Sequence, residues 1–156
     1  VALWTRTGAG DTGLAAGAVA LPAQGRTLAT DTPPAPPAPL DGRRPRLLAS
    51  RSRPPAFLSA LAEDLDAELV PMGSAGAKIA AVISGEADAY VHAGGQYEWD
   101  SAAPVAVALA AGLHASRVDG SGLRYNQPNP RLPDVLVCKP ELAEPILAAL
   151  RRHLPN

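Results

Sequence analysis

The stretch QYEWDSAAPVAVALAAG, residues 96–112, sets one carboxylate, Asp100, between an aromatic and a run of alanine, valine and leucine. A carboxylate in that position has two uses. It can accept hydrogen bonds from the orphan N–H groups at the start of the helix that the small-residue run forms, or it can offer hard oxygen ligands to a cation. Read in isolation, capping is the simpler explanation. A second constellation precedes it in LVPMGSAGAKIAAVISGEADAYVH, where a short strand runs into Gly73-Ser74 and a helix spans about 75–84. Gly73, Ser74 and Ala75 are small enough to let backbone N–H groups and the helix dipole face an anion, and Lys78, one turn later, would add a charge. These residues also have an ordinary reading, because serine is a common cap, glycine a common turn residue and a helix lysine is usually solvated.

Other chemistries lack their residues. The acidic run EDLDAE falls mostly on the solvated face of its helix rather than forming a metal cluster. The single cysteine, Cys138, lies in the apolar run DVLVCKP, which makes packing its expected role and excludes an internal disulfide or a CxxC motif. His92, His114 and His153 have no metal-ligand spacing and no serine elbow nearby. The 14 basic and 15 acidic side chains of the 156 residues are interleaved, with no basic stripe for nucleic acid. No apolar run reaches membrane-spanning length and the start shows no signal peptide, so cytoplasm is expected, without a membrane partner. The chain starts at Val1 within an apolar strand, which reads as a missing beginning.

The elements that must position these residues follow from periodicity and punctuation. Residues 1–4, LAAGAVAL at Leu14–Leu21 and RTLAT at 26–30 read as an antiparallel three-stranded meander, with turns at TRTGAGDTG and PAQG. Residues 32–45 hold six prolines and read as a stiff, exposed polyproline connector between residues 1–31 and a second unit, 46–156. In that unit RLLAS, Arg46–Ser50, is a buried strand. A helix is expected next, with Ser52 or Arg53 near its cap and Phe57, Leu58, Leu61, Leu65 and Leu69 as its stripe. A strand at 88–92, the loop HAGGQYEW, the helix that Asp100 opens and Gly112 ends, a strand and turn near 119–122, the strand DVLVCKP and a last helix at 141–153 complete the reading. The class is mixed α/β, a layered α/β sandwich following the meander.

GSAGAK, GEADAYVHAGG and WDSAAPVAVALAAG, in this order and spacing, resemble the inositol monophosphatase superfamily of magnesium-dependent, lithium-sensitive phosphatases. HAGGQ with EWDSAAP, and LRYNQ, are similar to its CysQ-type branch, which acts on 3′-phosphoadenosine 5′-phosphate. The resemblance implies a C-terminal part of the family's sandwich, with Mg2+ as cofactor and Asp100 as one ligand. It places Gly73, Ser74, Ala75 and Lys78 against the sugar or the second phosphate of a nucleotide bisphosphate, with Tyr125 and Asn126 bordering the nucleotide. His92 stands where inositol-specific members resemble this chain but carry a glutamate that grips sugar hydroxyls. A histidine there favours a second phosphate. The family's other metal ligands, a Glu-Glu pair and an Asp-Pro-x-Asp-Gly-Thr motif, occur nowhere in the sequence, and PLDGRRP at 39–45 lacks the leading Asp-Pro and the threonine. The resemblance thus implies an incomplete fragment, inactive or weakly active, with a homodimer left open. The alternatives are an inositol or other sugar phosphatase, and a binding module without chemistry.

Overall fold

The computed structural model describes residues 1–6, 12–52 and 54–154. Among the described residues two sheets and four α-helices are stacked in layers. The first sheet is the expected meander, β1 (Ala2–Trp4), β2 (Leu14–Leu21) and β3 (Arg26–Ala29), paired antiparallel in the order β1-β2-β3. The second contains β4 (Arg46–Ser50), β5 (Glu68–Met72), β6 (Ala89–Tyr97), β7 (His114–Ser116) and β8 (Arg131–Cys138), in the order β5-β4-β6-β8-β7. β4 is parallel to β5 and β6, whereas β8 is antiparallel to β6 and β7.

Alternation along these strands builds a core on each face of the five-stranded sheet. Leu48, Tyr90, Val135 and Val137 point toward α2 (Ala75–Ile83) and α3 (Glu98–Ala110), and this cluster extends to Leu14 and Leu28 of the meander. Leu47, Ala89, Val91, Leu136 and Cys138 point the other way, toward α1 (Leu58–Asp64) and α4 (Pro140–His153). The meander rests on α3, and its closest approach is at Gly17. A Cβ there would lie 2.7 Å from both the Ala103 carbonyl oxygen and the Ala106 Cβ. The alanine-rich composition of α3 is what lets a strand come this near.

Two expectations are corrected. The helix expected to stretch across Leu69 is short. Consecutive prolines disfavour helical backbone before Leu58, where α1 begins after Phe57 without a side-chain cap. It ends at Leu65, Asp66 turns left-handed at φ 46°, and Leu69 pairs with Leu47 as part of β5. Ser52 is therefore not a cap, and Arg53, like most of the TRTGAGDTG turn, lies outside the described residues. The expected loop HAGGQYEW is largely strand. β6 is interrupted between Ala93 and Gln96, where Gly94 and Gly95 take φ values of 109° and 90°, and Gln96 and Tyr97 then pair with Leu132 and Arg131. Residues 32–45 are irregular and largely exposed, and they are tied to the body at two points. Lys139 Nζ donates to the Ala38 carbonyl at 2.6 Å, and the Arg43 guanidinium donates twice to Asp88, at 2.6 and 2.7 Å.

Asp88 has no solvent exposure. Besides Arg43 it accepts from the Arg46 backbone N–H at 2.8 Å and pairs with the Lys139 ammonium at 2.8 Å. Burial pushes its pKa up, but the bonds from Arg43, Lys139 and the Arg46 backbone outweigh this and bring it from 3.8 down to about 2. A carboxyl depressed in the folded state stabilises above its ordinary value and loses that contribution as pH falls through its folded value.

Two outcomes are expected. Thermal melts from pH 7 to pH 2 should show a loss on the order of 2 kcal/mol between about pH 4 and pH 2 that is absent in Asp88→Asn. That variant should already be about 3–5 kcal/mol less stable at pH 7, because it leaves the buried Lys139 ammonium without its carboxylate. Gly17→Ala should cost about 1–3 kcal/mol by overpacking against α3, measured by urea denaturation.

Candidate functional site

β5, β4 and β6 run parallel, and their carboxyl ends open on one side of the sheet, where open α/β sheets bind ligands. A cleft of about 450 Å³ lies there. It is lined in turn by the turn after β5 with the start of α2, by Tyr90, His92 and the glycine interruption of β6, by the start of α3, and by Arg131 at the start of β8. Gly73, Ser74, Ala75, Lys78, His92 and Asp100, named from the sequence, meet in this cleft.

Ser74 ends the turn after β5 with φ 60° and ψ 125°, outside the helical and extended regions, and its Oγ accepts from the Ala77 N–H at 3.3 Å. Such backbone costs about 1–3 kcal/mol and persists where the surroundings hold it. Here it turns the chain sharply from β5 into α2, so that the first turn of α2 borders the cleft. Lys78 is not the solvated lysine of the ordinary reading. It is 4% exposed, donates to the Met72 carbonyl at 3.3 Å and lies over the Tyr90 ring, 4.9 Å from its centroid. Desolvation lowers its pKa, and no carboxylate pairs with it among the described residues.

Asp100 occupies the third position of α3, not the cap. Tyr97 is the cap residue, and its N–H donates to Asp100 Oδ2 at 2.9 Å. The helix starts early because the Glu98 N–H bonds the Pro130 carbonyl at 2.9 Å while its carboxylate takes the Asn126 and Gln127 N–H groups at 2.8 and 2.9 Å. Asp100 thus reaches back to the cap as the N3 half of a capping box. Among the described residues it is also the only carboxylate lining the cleft, and burial, together with its charge, raises the pKa of the Tyr90 hydroxyl.

Tyr125 and Asn126 are not in this cleft. They line a second cavity of about 440 Å³ with Trp4, Leu14, Glu98 and Trp99. Tyr125 is a core residue whose hydroxyl meets Ser101 Oγ at 3.1 Å. His114 bonds Ser116 at 2.9 Å and His153 bonds Asp64 at 2.6 Å, both away from the cleft. Burial raises the Cys138 thiol to about 12, which leaves no thiolate for chemistry.

Tyr90, Gln96 and Arg131 also line the cleft and were not singled out from the sequence. Tyr90 stands two residues before His92, so strand alternation alone would have placed the two side by side. Arg131 is brought in only by its pairing with Tyr97 across β6 and β8. Gln96 carries a further signal: both amide atoms are buried without a protein partner, as is His92 Nδ1. Buried polar atoms left this way cost about 1–3 kcal/mol each unless something polar meets them.

These surroundings make Lys78→Met a discriminating change. Thermal stability should stay within about 1 kcal/mol or rise, since an unpaired buried charge is removed while the stem length is kept. Affinity for inorganic phosphate, followed by NMR shift titration, should fall about tenfold.

The sequence profile of the inositol monophosphatase family matches residues 15–154. A Mycobacterium bovis protein named 3′-phosphoadenosine 5′-phosphate phosphatase is 52% identical over 153 residues, covering 96% of this chain and 57% of its own length. The protein of that name from Mycobacterium leprae is 48% identical over 159 residues, covering 97% and 58%. The chain therefore spans somewhat more than half the length of these curated relatives. Among solved structures, an IMPase of Thermotoga maritima superposes with a TM-score of 0.71 at 15% identity, over 89% of this chain and 56% of that one, a likeness of fold alone. CysQ from Bacteroides thetaiotaomicron, described as a bacterial member of the inositol monophosphatase family, gives 0.57 at 31% identity over 68% and 40%. With the profile covering most of its length, this chain belongs to the inositol monophosphatase family.

Proposed function

We propose that this chain is the substrate-binding part of a magnesium-dependent phosphatase that removes the 3′-phosphate of 3′-phosphoadenosine 5′-phosphate. The observation that carries the reading is the convergence of Ser74, Lys78 and Asp100 in one cleft at the carboxyl ends of the parallel strands. The names of the curated relatives support the choice of substrate. His92, in a cleft where Asp100 is the only carboxylate among the described residues, supports it further, since a polyanion meets little repulsion there.

Magnesium is tested against the residues present. Asp100 suits it as a hard oxygen donor, with Oδ2 already held by the Tyr97 N–H. Among the described residues no three His, Cys, Asp or Glu side chains form a metal-binding group, so this chain supplies one ligand and not a site. When bound in a complete site, magnesium would lower the pKa of a water and neutralise charge on the leaving oxygen. The chain's own residues do the rest of the binding. Lys78, desolvated and unpaired, offers a positive charge that a phosphate satisfies, and the first turn of α2 presents backbone donors beside it. Asp100 ties its own orientation to the start of α3. Among the described residues no helix is long and apolar enough to cross a membrane.

The test joins the N-terminal part of the Mycobacterium bovis relative to residues 1–156 and measures phosphate release from 3′-phosphoadenosine 5′-phosphate. The chimera should turn over with magnesium, and this chain alone should be far slower. In the chimera, Asp100→Asn should lower stability by at most about 1 kcal/mol, because asparagine keeps an acceptor for the Tyr97 N–H. Its rate should nonetheless fall by orders of magnitude. Turnover by Asp100→Asn at the unsubstituted rate, or a chimera that prefers inositol 1-phosphate, would overturn the proposal.

A further inference from the structure

The cleft crosses the ends of four neighbouring strands, and its two margins are both cationic. Lys78 belongs to the α2 side. On the β8 side stands Arg131, whose guanidinium lies directly on Gly95: a Cβ built on Gly95 would be 2.9 Å from its Nη2 and 3.0 Å from its Nε. Gly95 is at φ 90°, where side chains are rarely carried, so the glycine interruption of β6 is also what seats the arginine. Among the described residues the Arg131 guanidinium has neither a carboxylate nor a hydrogen-bond acceptor. Its neighbour on the outer side is a recess of about 390 Å³ that it lines together with Arg117 and Arg124. Arg117 is neutralised by Asp134 through two bonds of 2.6 Å, but Arg124, like Arg131, has no carboxylate among the described residues. Gln96, next to Gly95, adds a buried amide with no protein partner.

An unpaired guanidinium seated edge-on against a backbone glycine, beside an unpaired amide and away from the lysine that serves the other margin, suits a second anionic group on the same ligand. We propose that Arg131, seated on Gly95 and assisted by Gln96, is a specificity-determining residue that binds the phosphate which is not hydrolysed, and so selects bisphosphorylated nucleotides over monophosphates. The inference rests on the nucleotide-bisphosphate reading above and deepens it. Arg131 does not touch the reacting atoms.

Calorimetric titration of the present chain tests it, with adenosine 3′,5′-bisphosphate, adenosine 3′-monophosphate and inositol 1-phosphate as probes, at fixed salt. The unsubstituted chain should bind the bisphosphate about tenfold or more tightly than the 3′-monophosphate. Arg131→Gln should bring that ratio close to one while leaving monophosphate affinity and thermal midpoint unchanged, and Arg131→Lys should restore part of it. A bisphosphate preference that survives Arg131→Gln overturns the role of Arg131 and leaves the nucleotide reading standing. An equal loss for both nucleotides also overturns it, since the arginine would then act as a general attractor. Tighter binding of inositol 1-phosphate than of the bisphosphate by the unsubstituted chain overturns the nucleotide reading and the inference together.

Discussion

A carboxylate removed from water must be matched by cations and donors, and the way Asp88 is matched holds four parts of the chain together. Its partners come from the proline-rich strap through Arg43, from the first residue of β4 through the Arg46 N–H, and from the junction of β8 and α4 through Lys139. The backbone adds to this, with the Asp88 N–H on the Arg46 carbonyl and the Lys139 N–H on the Asp88 carbonyl. The edge of the sheet opposite the cleft is thereby closed by one ion cluster. β4, β6 and β8 leave that edge in a set register, so their far ends, where the cleft lies, arrive at set positions. Lys139 has 2% exposure and also donates to the strap, so the linker is part of the same network.

The second constraint is steric. α3 must present Asp100 at its first turn and at the same time carry the meander on its flank. Ala103 and Ala106 admit β2 to contact distance at Gly17, while Val105 and Val107 are fully buried in the core. Asp100 is therefore placed by packing far from the cleft as much as by its own hydrogen bond. This accounts for the coexistence of its two roles. One oxygen completes the capping box, and the carboxylate still faces the cleft.

The cleft concentrates groups whose polarity the protein itself does not satisfy. Lys78 is desolvated without a carboxylate, His92 and Gln96 hold buried polar atoms without partners, and Arg131 lies on a glycine rather than on an acid. Elsewhere the chain pairs its buried charges closely, as at Asp88 and Asp134. Unmatched buried polar groups gathered in one cleft mark that place for a ligand.

Much of this was legible in the amino-acid order, because it depends on local physics. LAAGAVAL and RLLAS are strands by composition and punctuation, GSAGAK turns a strand into a helix through small residues, and DVLVCKP is a buried strand. Motif resemblance pointed to Asp100, Ser74 and Lys78. Other features depend on groups far apart along the chain, and local pattern carries no information about them. Leu69 continues a helical stripe but is drawn into β5 by pairing with Leu47. HAGGQYEW carries two glycines and reads as a loop, yet β8 supplies a partner strand on either side of the interruption. Tyr125 and Asn126 follow the family motif LRYN, but the turn that holds them hangs from Glu98 over a different cavity. Arg131 enters the cleft only because an antiparallel register sets it opposite Tyr97. By itself the sequence determined the elements, the turn chemistry and the residues able to do chemistry, since these follow from short-range sterics and residue type. Which of those residues share a cleft, and that Asp88 of GEADAYVHAGG ties the molecule together instead of joining the cleft, only the tertiary structure decided, because strand register and charge burial are set by contacts between distant segments.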